Sequence, residues 1–590
     1  MRTGGWFACL LIAGGLSLCG CLSRGPSPSN GPATTSFGGR GAESRSSVDP
    51  HAEATNPAPV PQSDDWFEDV TDRSGIRFAH RNGREAGRYF MIESFGGGVA
   101  VIDYDRDGDC DLFIPGGGTI SRDDPVAIGG LPSALFRNEG DWRFVDVANA
   151  GGVAGPPDYS QGCAVSDFDA DGFPDLFLCC HGRCRLYHNH GDGTFSEVGV
   201  SAQLLRNEWA TAAVFADFDL DGLPDLLIGR YADWSPAKDV KCVTNGARDL
   251  CPPTSYEGTT CLAFRNVGDG VFEDWTSRLG FGGKVRGLAI VAADLNLDGR
   301  VDIYVASDVT ANQLYLGGPE LPLVECAASS GVAVNEWGQA EASMGVDVGD
   351  YNGDGRPDIW ITNFEREDNA LYRNLGEGMF LHSTVSAGLS GVSRMRVGFG
   401  TAMTDFDGDG WPDLFVLNGN PIYAAAETPF KQHSQLFRNL GGRFAEVSGN
   451  GGTFFRETHS GRGCAVADLD DDGAPDLVTV RMNDTVRVLR NRKPPANFVR
   501  VQLAARNGEP DATGARVVCE FNGRPVTQFS VRGTGFFSQS DARMIFPVAT
   551  QASTVDVTVV WPGRAREVFR GLSVRKTHPI VEGRGETDNP

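Results

Sequence analysis

The sequence predicts an all-β chain folded as a closed ring of seven four-stranded units, a seven-bladed β-propeller. Three observations predict it. A nine-residue acidic pattern recurs seven times, its starts 64, 50, 77, 56, 55 and 63 residues apart. A strand–turn–strand pattern follows most copies. The last copy lacks its final strand, while a strand of the matching kind stands alone near the N-terminus, "WFEDV" at Trp66 to Val70. Recurrence on this scale marks an array of similar units.

The acidic pattern reads "DYDRDGDCD" from Asp103, "DFDADGFPD" from Asp167, "DFDLDGLPD" from Asp217, "DLNLDGRVD" from Asp294, "DYNGDGRPD" from Asp350, "DFDGDGWPD" from Asp405 and "DLDDDGAPD" from Asp468. Places one, three, five and nine carry oxygen ligands. They are Asp103, Asp105, Asp107 and Asp111; Asp167, Asp169, Asp171 and Asp175; Asp217, Asp219, Asp221 and Asp225; and Asp294, Asn296, Asp298 and Asp302. The last three sets are Asp350, Asn352, Asp354 and Asp358; Asp405, Asp407, Asp409 and Asp413; and Asp468, Asp470, Asp472 and Asp476. Hard oxygen ligands at alternating places, with glycine at the bend, suit calcium. Asn at place three keeps an oxygen and drops a charge. Place seven follows no side-chain rule, so a backbone carbonyl would serve there. Place two is always apolar and points to a core. An EF-hand would need a bidentate Glu at place twelve. That place holds Ile114, Leu178, Ile228, Val305, Ile361, Val416 and Thr479 instead. The flanks are strand-like, as in "GGGVAVI" before a loop and "LFIPG" after it, so each loop is a turn between two strands. Metal-free Asp/Gly turns are the plainer reading; seven copies with the same ligand columns favour the metal.

The second element reads "LFRNEGDWRFVDV" from Leu135, "LYHNHGDGTFSEV" from Leu186, "AFRNVGDGVFEDW" from Ala263, "LYRNLGEGMFLHS" from Leu371 and "LFRNLGGRFAEV" from Leu436. Each is a hairpin with a Gly-containing turn. The fourth unit departs from it at "LYLGGPELPLVE". The seventh reaches "RVLRN", Arg487 to Asn491, and stops. The N-terminal strand completes it if the ring is closed, and closure removes exposed sheet edges.

Composition sets the remaining bounds. The chain has 590 residues, formal net charge −25 and 41% hydrophobic residues. That balance disfavours nucleic acid, whose phosphates it would repel. The apolar run from Trp6 to Leu18 has the shape of a secretory signal and ends in "LCGC", a lipobox-like stretch that points to lipidation at Cys21. Residues 1–21 read as a lipoprotein signal and 22–63 as a Ser/Pro/Gly-rich tether. The expected location is therefore exported and lipid-anchored to a bacterial membrane, periplasmic or cell-surface facing. Of 14 cysteines, eleven remain after Cys9, Cys19 and Cys21. Cys242 and Cys251, in an insertion, are the expected disulfide, and Cys179, Cys180 and Cys184 leave room for another. No CxxC pair faces a second pair, so cysteine spacing does not point to zinc.

The loops and hairpins resemble FG-GAP (VCBS-type) repeats of the integrin α-chain kind. Together with "GARVVCEFNGRPVTQFSVRGTGFFSQSDARMIF", Gly514 to Phe546, and "VTVVWPGRAREVF", Val557 to Phe569, the chain resembles the cartilage acidic protein 1 family and its bacterial relatives, which carry an ASPIC/UnbV domain. The resemblance covers roughly residues 64 to 585. It implies an integrin α-like propeller over 64–496 with up to seven Ca2+, one per loop, and a small β-domain over 497–585.

For function, three readings stay open. The first is a surface-tethered binding or adhesion protein with an extracellular protein or glycan as ligand, held to the membrane only by its lipid and stiffened by calcium. In this reading loops on two rims and a central opening are available, and Tyr231, Trp234 and Tyr256 are exposed-loop candidates or local packing. The second is a propeller enzyme acting on polysaccharide. No nucleophile elbow, zincin helix, phosphate loop or dinucleotide fingerprint is present, and the expectation is no catalytic residue. His181, His188 and His190 lie close together, but His188 replaces the hairpin arginine and reads as a surface variant. The third is a scaffold of an outer-surface complex. "SQSD", Ser538 to Asp541, is then either a polar turn or a docking site.

Overall fold

The computed structural model describes residues 60–155, 158–204, 207–506 and 511–587. Cys21, the signal and nearly all of the tether lie outside the described residues. No described helix is long and apolar enough to cross a membrane.

Seven four-stranded antiparallel units lie between Phe67 and Asn491. Each runs from an inner first strand to an outer fourth. In unit 1 the strands are Ala100–Ile102, Asp111–Ile114, Ala134–Asn138 and Phe144–Asp146. The first strands of units 2 to 7 are Tyr159–Ser166, Asn207–Ala216, Gly287–Ala293, Val346–Gly349, Gly398–Thr404 and Gly461–Ala467. Units 2 and 3 join into one eight-stranded sheet because Asn207–Trp209 pairs with His181–Arg183. Unit 4 is complete despite its divergent hairpin: Gln313–Leu316 pairs with Val324–Glu325. Unit 7 borrows its fourth strand, since Phe67–Asp69 pairs antiparallel with Leu489–Asn491. Consecutive first strands touch one another, and the first strand of unit 7 touches that of unit 1, so the cycle closes.

The small-residue runs before each loop now have a cause. First strands crowd backbone to backbone around the axis; a Cβ on Gly345 would overlap the carbonyl of Phe399 in the next unit. Between units, apolar faces interleave. Ala289, Val291 and Tyr304 of unit 4 pack with Val346, Ile359 and Tyr372 of unit 5.

Residues 498–587 form two further sheets, one of three strands and one of five. Their core includes Val499, Val501, Val517, Phe546, Val557, Val559 and Trp561. From this domain the segment Val531–Asp541 enters the centre of the ring. Arg532 bridges Ala292, Gly535 bridges Val346 and Gln539 bridges Ala100. The Gln539 amide spans Val165, accepting from its N–H at 2.9 Å and donating to its C=O at 2.9 Å. Ser538 Oγ accepts the N–H of Val99, and Ser540 Oγ that of Val466. "SQSD" is thus a docking element within the chain, and the central opening expected from a propeller is filled.

At the plug's far end Phe536 and Phe537 stack and meet an aromatic roof: Phe95, Trp209, Tyr231, Trp234, Tyr256 and Phe399. Tyr231, Trp234 and Tyr256 are buried, with exposures of 0%, 5% and 6%, and so are not exposed-loop candidates. They are covered because the 231–262 insertion folds over the channel; Asp249 accepts the N–H groups of Tyr423 and Ala424 in another loop. Cys242 and Cys251 are joined by a disulfide inside that insertion. The second bridge allowed for among Cys179, Cys180 and Cys184 does not form, since Cys179 and Cys180 are buried thiols.

Gly98 stands where a Cβ would overlap the carbonyl of Phe537. Overpacking of this kind costs about 1–3 kcal/mol. Gly98→Val is therefore expected to lower Tm and to make the plug and C-terminal domain sensitive to limited proteolysis. Unchanged Tm and cleavage would refute the plug as a stabilising element.

Candidate metal centres

All seven acidic loops lie between first and second strands of their units. Unit 3 shows the construction. Asp217 Oδ1 accepts the N–H of Asp221 and its Oδ2 that of Gly222, at 3.1 and 2.8 Å. Asp221 Oδ1 accepts the N–H of Leu223 at 3.0 Å. Asp225, 2% exposed, accepts the N–H of Phe218 on Oδ2 and that of Asn266 on Oδ1. The backbone of the loop is thus wound onto its own carboxylates. Place four takes a left-handed conformation, at φ between 58° and 61° in Arg106, Ala170, Leu220, Leu297 and Asp471. A left-handed non-glycine residue costs about 1–2 kcal/mol, so each of these five loops holds strain that something must offset.

Oxygens of Asp217, Asp219 and Asp225 come within 4.8 Å of one another, as do those of Asp103, Asp105 and Asp111, of Asp167, Asp169 and Asp175, and of Asp405, Asp407 and Asp413. Burial, followed by neighbouring carboxylates, pushes the place-nine acids far up: Asp111 to about 8, Asp175 to about 9, Asp358 to about 8. The place-one acids Asp167, Asp217, Asp294, Asp350 and Asp468 rise to about 6, chiefly through burial. At place three, Oδ1 of Asp105, Asp169, Asp219, Asp407 and Asp470 is buried and accepts no hydrogen bond. Unpartnered buried carboxylate oxygens are expensive. Among like charges they are the donor set a hard divalent cation completes, so the residues fit calcium. In the two Asn loops the corresponding oxygens are used internally: Asn296 and Asn352 accept the N–H groups of Asp298 and Asp354.

Two residue columns outside the loops belong to the site. The arginine of "RN" pairs with the outer oxygens. Arg265 reaches Asp219 and Asp221 at 2.6 and 2.5 Å, Arg438 reaches Asp407 and Asp409, and Arg490 reaches Asp470 and Asp472. The asparagine that follows is buried and ties neighbours together. Asn189 donates to the carbonyls of Pro174 in its own loop and Tyr104 in the loop of unit 1. Asn266, Asn374, Asn439 and Asn491 likewise reach Phe168, Leu295, Tyr351 and Phe406. Asn138 reaches Leu469, stitching unit 1 to unit 7. The repeated "RN" was visible in sequence; its contact with the preceding loop was not. In unit 4, Leu316 and Gly317 stand in these columns.

The C-terminal domain covers much of the loop rim. Arg500, 3% exposed on its side chain, pairs with Asp468 and Asp471 of loop 7. Arg524 lies 4.0 Å over the ring of Trp411 and donates to the Asp409 carbonyl. Arg543 and Gly563 donate to the carbonyls of Gly108 and Gly299. His188, half-buried on the third strand of unit 2, faces loop 2, with Nδ1 3.2 Å from Asp169. His181 belongs to the aromatic roof beside Trp209 and Trp234.

Comparison with known proteins agrees with this geometry. The FG-GAP-like repeat family matches residues 167–228, 254–305, 350–416 and 405–479. The ASPIC and UnbV family matches residues 505–587. Cartilage acidic protein 1 of Mus musculus is 25% identical over 364 residues, 50% of this chain and 54% of the relative; that of Homo sapiens is 24% identical, over 50% and 53%. The chain spans about half the length of the curated relatives it matches. Among solved structures, an Agrocybe aegerita lectin described as recognising non-reducing terminal N-acetylglucosamine aligns with 67% of this chain and 95% of its own, at 16% identity and a TM-score of 0.35. The repeats that carry the loops and the domain that plugs the ring together make this chain an FG-GAP-repeat protein with a C-terminal ASPIC/UnbV domain, similar to cartilage acidic protein 1.

Proposed function

We propose that the protein is an exported, calcium-stiffened propeller that binds a protein or glycan outside the cytoplasm, with calcium structural. The observation that carries the calcium reading is the set of five buried, unpartnered place-three oxygens, each within a ring of carboxylates. The Cys242–Cys251 disulfide supports an oxidising compartment, as does the signal-like N-terminus ending at Cys21. The acidic residues have structural work in these cages, which favours a binding protein over an enzyme.

With the channel filled and much of the loop rim covered, ligand contact falls on the remaining outer surface. Trp337, 65% exposed, adjoins Glu336, whose carboxylate meets His382 at the end of the strand that exposes Met379 and Leu381. An open tryptophan suits sugar stacking or a protein contact. A glycan array and a pull-down from solubilised membranes test this reading. Trp337→Ala is expected to abolish capture while leaving Tm unchanged; capture that survives refutes this surface, and turnover of a bound polysaccharide would favour the enzyme reading.

Calcium at 100 times its dissociation constant adds about 2.7 kcal/mol per site that binds only the folded chain. Chelator is therefore expected to lower Tm, calcium to restore it, and Asp219→Ala to remove one bound equivalent; a Tm indifferent to both reagents would overturn the calcium reading.

The pH dependence has a definite sign. Carboxyls whose folded pKa is raised to about 6–9 favour the folded state below their ordinary value near 4 and lose that contribution as pH rises through the folded value. In chelator, Tm should fall between about pH 4 and 9, the window of those shifts. In millimolar calcium the fall should disappear, because the metal takes the deprotonated form. Thermal melts at fixed ionic strength, with and without calcium, check it.

A further inference from the structure

We propose that loop 2 holds a transition-metal ion of the zinc class, using His188 Nδ1 together with Asp169 and Asp171. Ligand atoms of these three residues lie within 4.8 Å of one another. His188 Nδ1 is buried, 3.2 Å from Asp169 Oδ2 and 3.4 Å from Asp175 Oδ1, yet it makes no hydrogen bond. Asp169 Oδ1 is also buried without a partner. Two ligands about 2.0 Å from one tetrahedral ion stand roughly 3.3 Å apart, close to the 3.2 Å between His188 Nδ1 and Asp169 Oδ2. Phe168, at place two of the same loop, stands edge-on to the imidazole at 6.2 Å and helps hold the ring in place.

Loop 2 differs from its counterparts in one respect that matters chemically. The equivalent third-strand residue is Arg137, Arg265, Arg373, Arg438 or Arg490 in five other units. Arginine brings a fixed positive charge and no lone pair. In loop 2 that arginine is replaced by an imidazole, which can offer a nitrogen lone pair. Imidazole with carboxylates favours zinc and its neighbours, whereas all-oxygen sets favour calcium. A second imidazole, His190, stands edge-on to His188 at a ring distance of 4.9 Å at the same opening. The inference rests on reading the loops as cation cages, and goes beyond it by assigning one loop a different ion.

The test is zinc titration of the whole protein in millimolar calcium, followed by calorimetry and by Tm, with cobalt(II) as a visible-absorption probe of nitrogen ligation. One saturable zinc equivalent is expected. His188→Arg, which installs the residue found in the other units, should weaken it at least 100-fold while keeping the calcium-dependent Tm. His188→Gln keeps the test decisive if the arginine variant does not fold. Absence of saturable zinc binding in the parent protein, or equal zinc binding in a folded His188 variant, overturns the proposal. Loss of the calcium response with zinc binding intact would refute the calcium reading instead.

Discussion

The structure depends on seven clusters of like charge kept out of water. Each loop turns on a place-nine aspartate that is almost wholly buried, Asp175, Asp302, Asp358, Asp413 and Asp476 at 0% exposure. Its two oxygens hold the N–H at place two and the N–H that ends the third strand. That carboxylate therefore fixes both the turn and the strand beside it. Burying it raises the cost of ionisation, and the same is true of its neighbours at places one and three. In loops 3, 6 and 7 the repulsion is offset by arginine on the outer oxygens, and under the calcium reading a cation where the inner oxygens converge would offset the rest.

The asparagine column turns seven local solutions into one ring. Each asparagine that is present binds a carbonyl of its own loop and one of the loop before it. Distortion of any loop is thereby felt by its neighbour, and the contact from Asn138 to Leu469 carries that coupling across the chain ends. Only between units 3 and 4 is the stitch replaced, by Gly317, whose backbone N–H alone still binds Asp302. Cation binding in one cage would then stiffen more than one unit, which is how an ion at the periphery can act on a whole propeller.

The C-terminal domain uses the same rim. Its plug pairs with first strands of units 1, 4 and 5 by backbone bridges and with units 2 and 7 through Gln539 and Ser540. Its arginines settle on loops 1, 6 and 7. A single domain thus contacts most units of the ring at once, and its removal would leave Val99, Val101 and Val165 with unpaired backbone groups at the axis. Arg500 adds a resident positive charge to loop 7 that loop 3 lacks, so the seven cages are not electrostatically equivalent.

The repeat itself determined the class of fold, the location of the acidic cages and the closure by Phe67–Asp69, because those features are written in short-range spacing and in which strand is missing from which end. The "RN" pair was equally visible, as letters without a partner. What only the tertiary structure decided are the contacts between residues hundreds of positions apart: Asn138 on Leu469, Gln539 on Val165, Arg500 on Asp468 and the 231–262 insertion folded over the channel. For Tyr231, Trp234 and Tyr256 the sequence left loop exposure and local packing both open, because hydrophobic pattern shows that a side chain wants burial, not what will cover it. His188 read as a surface variant because a substituted column shows what is lost, while only the packed loop shows what the new side chain faces. Periodicity reports local geometry; the identity of the partner across the axis is set by closure of the ring.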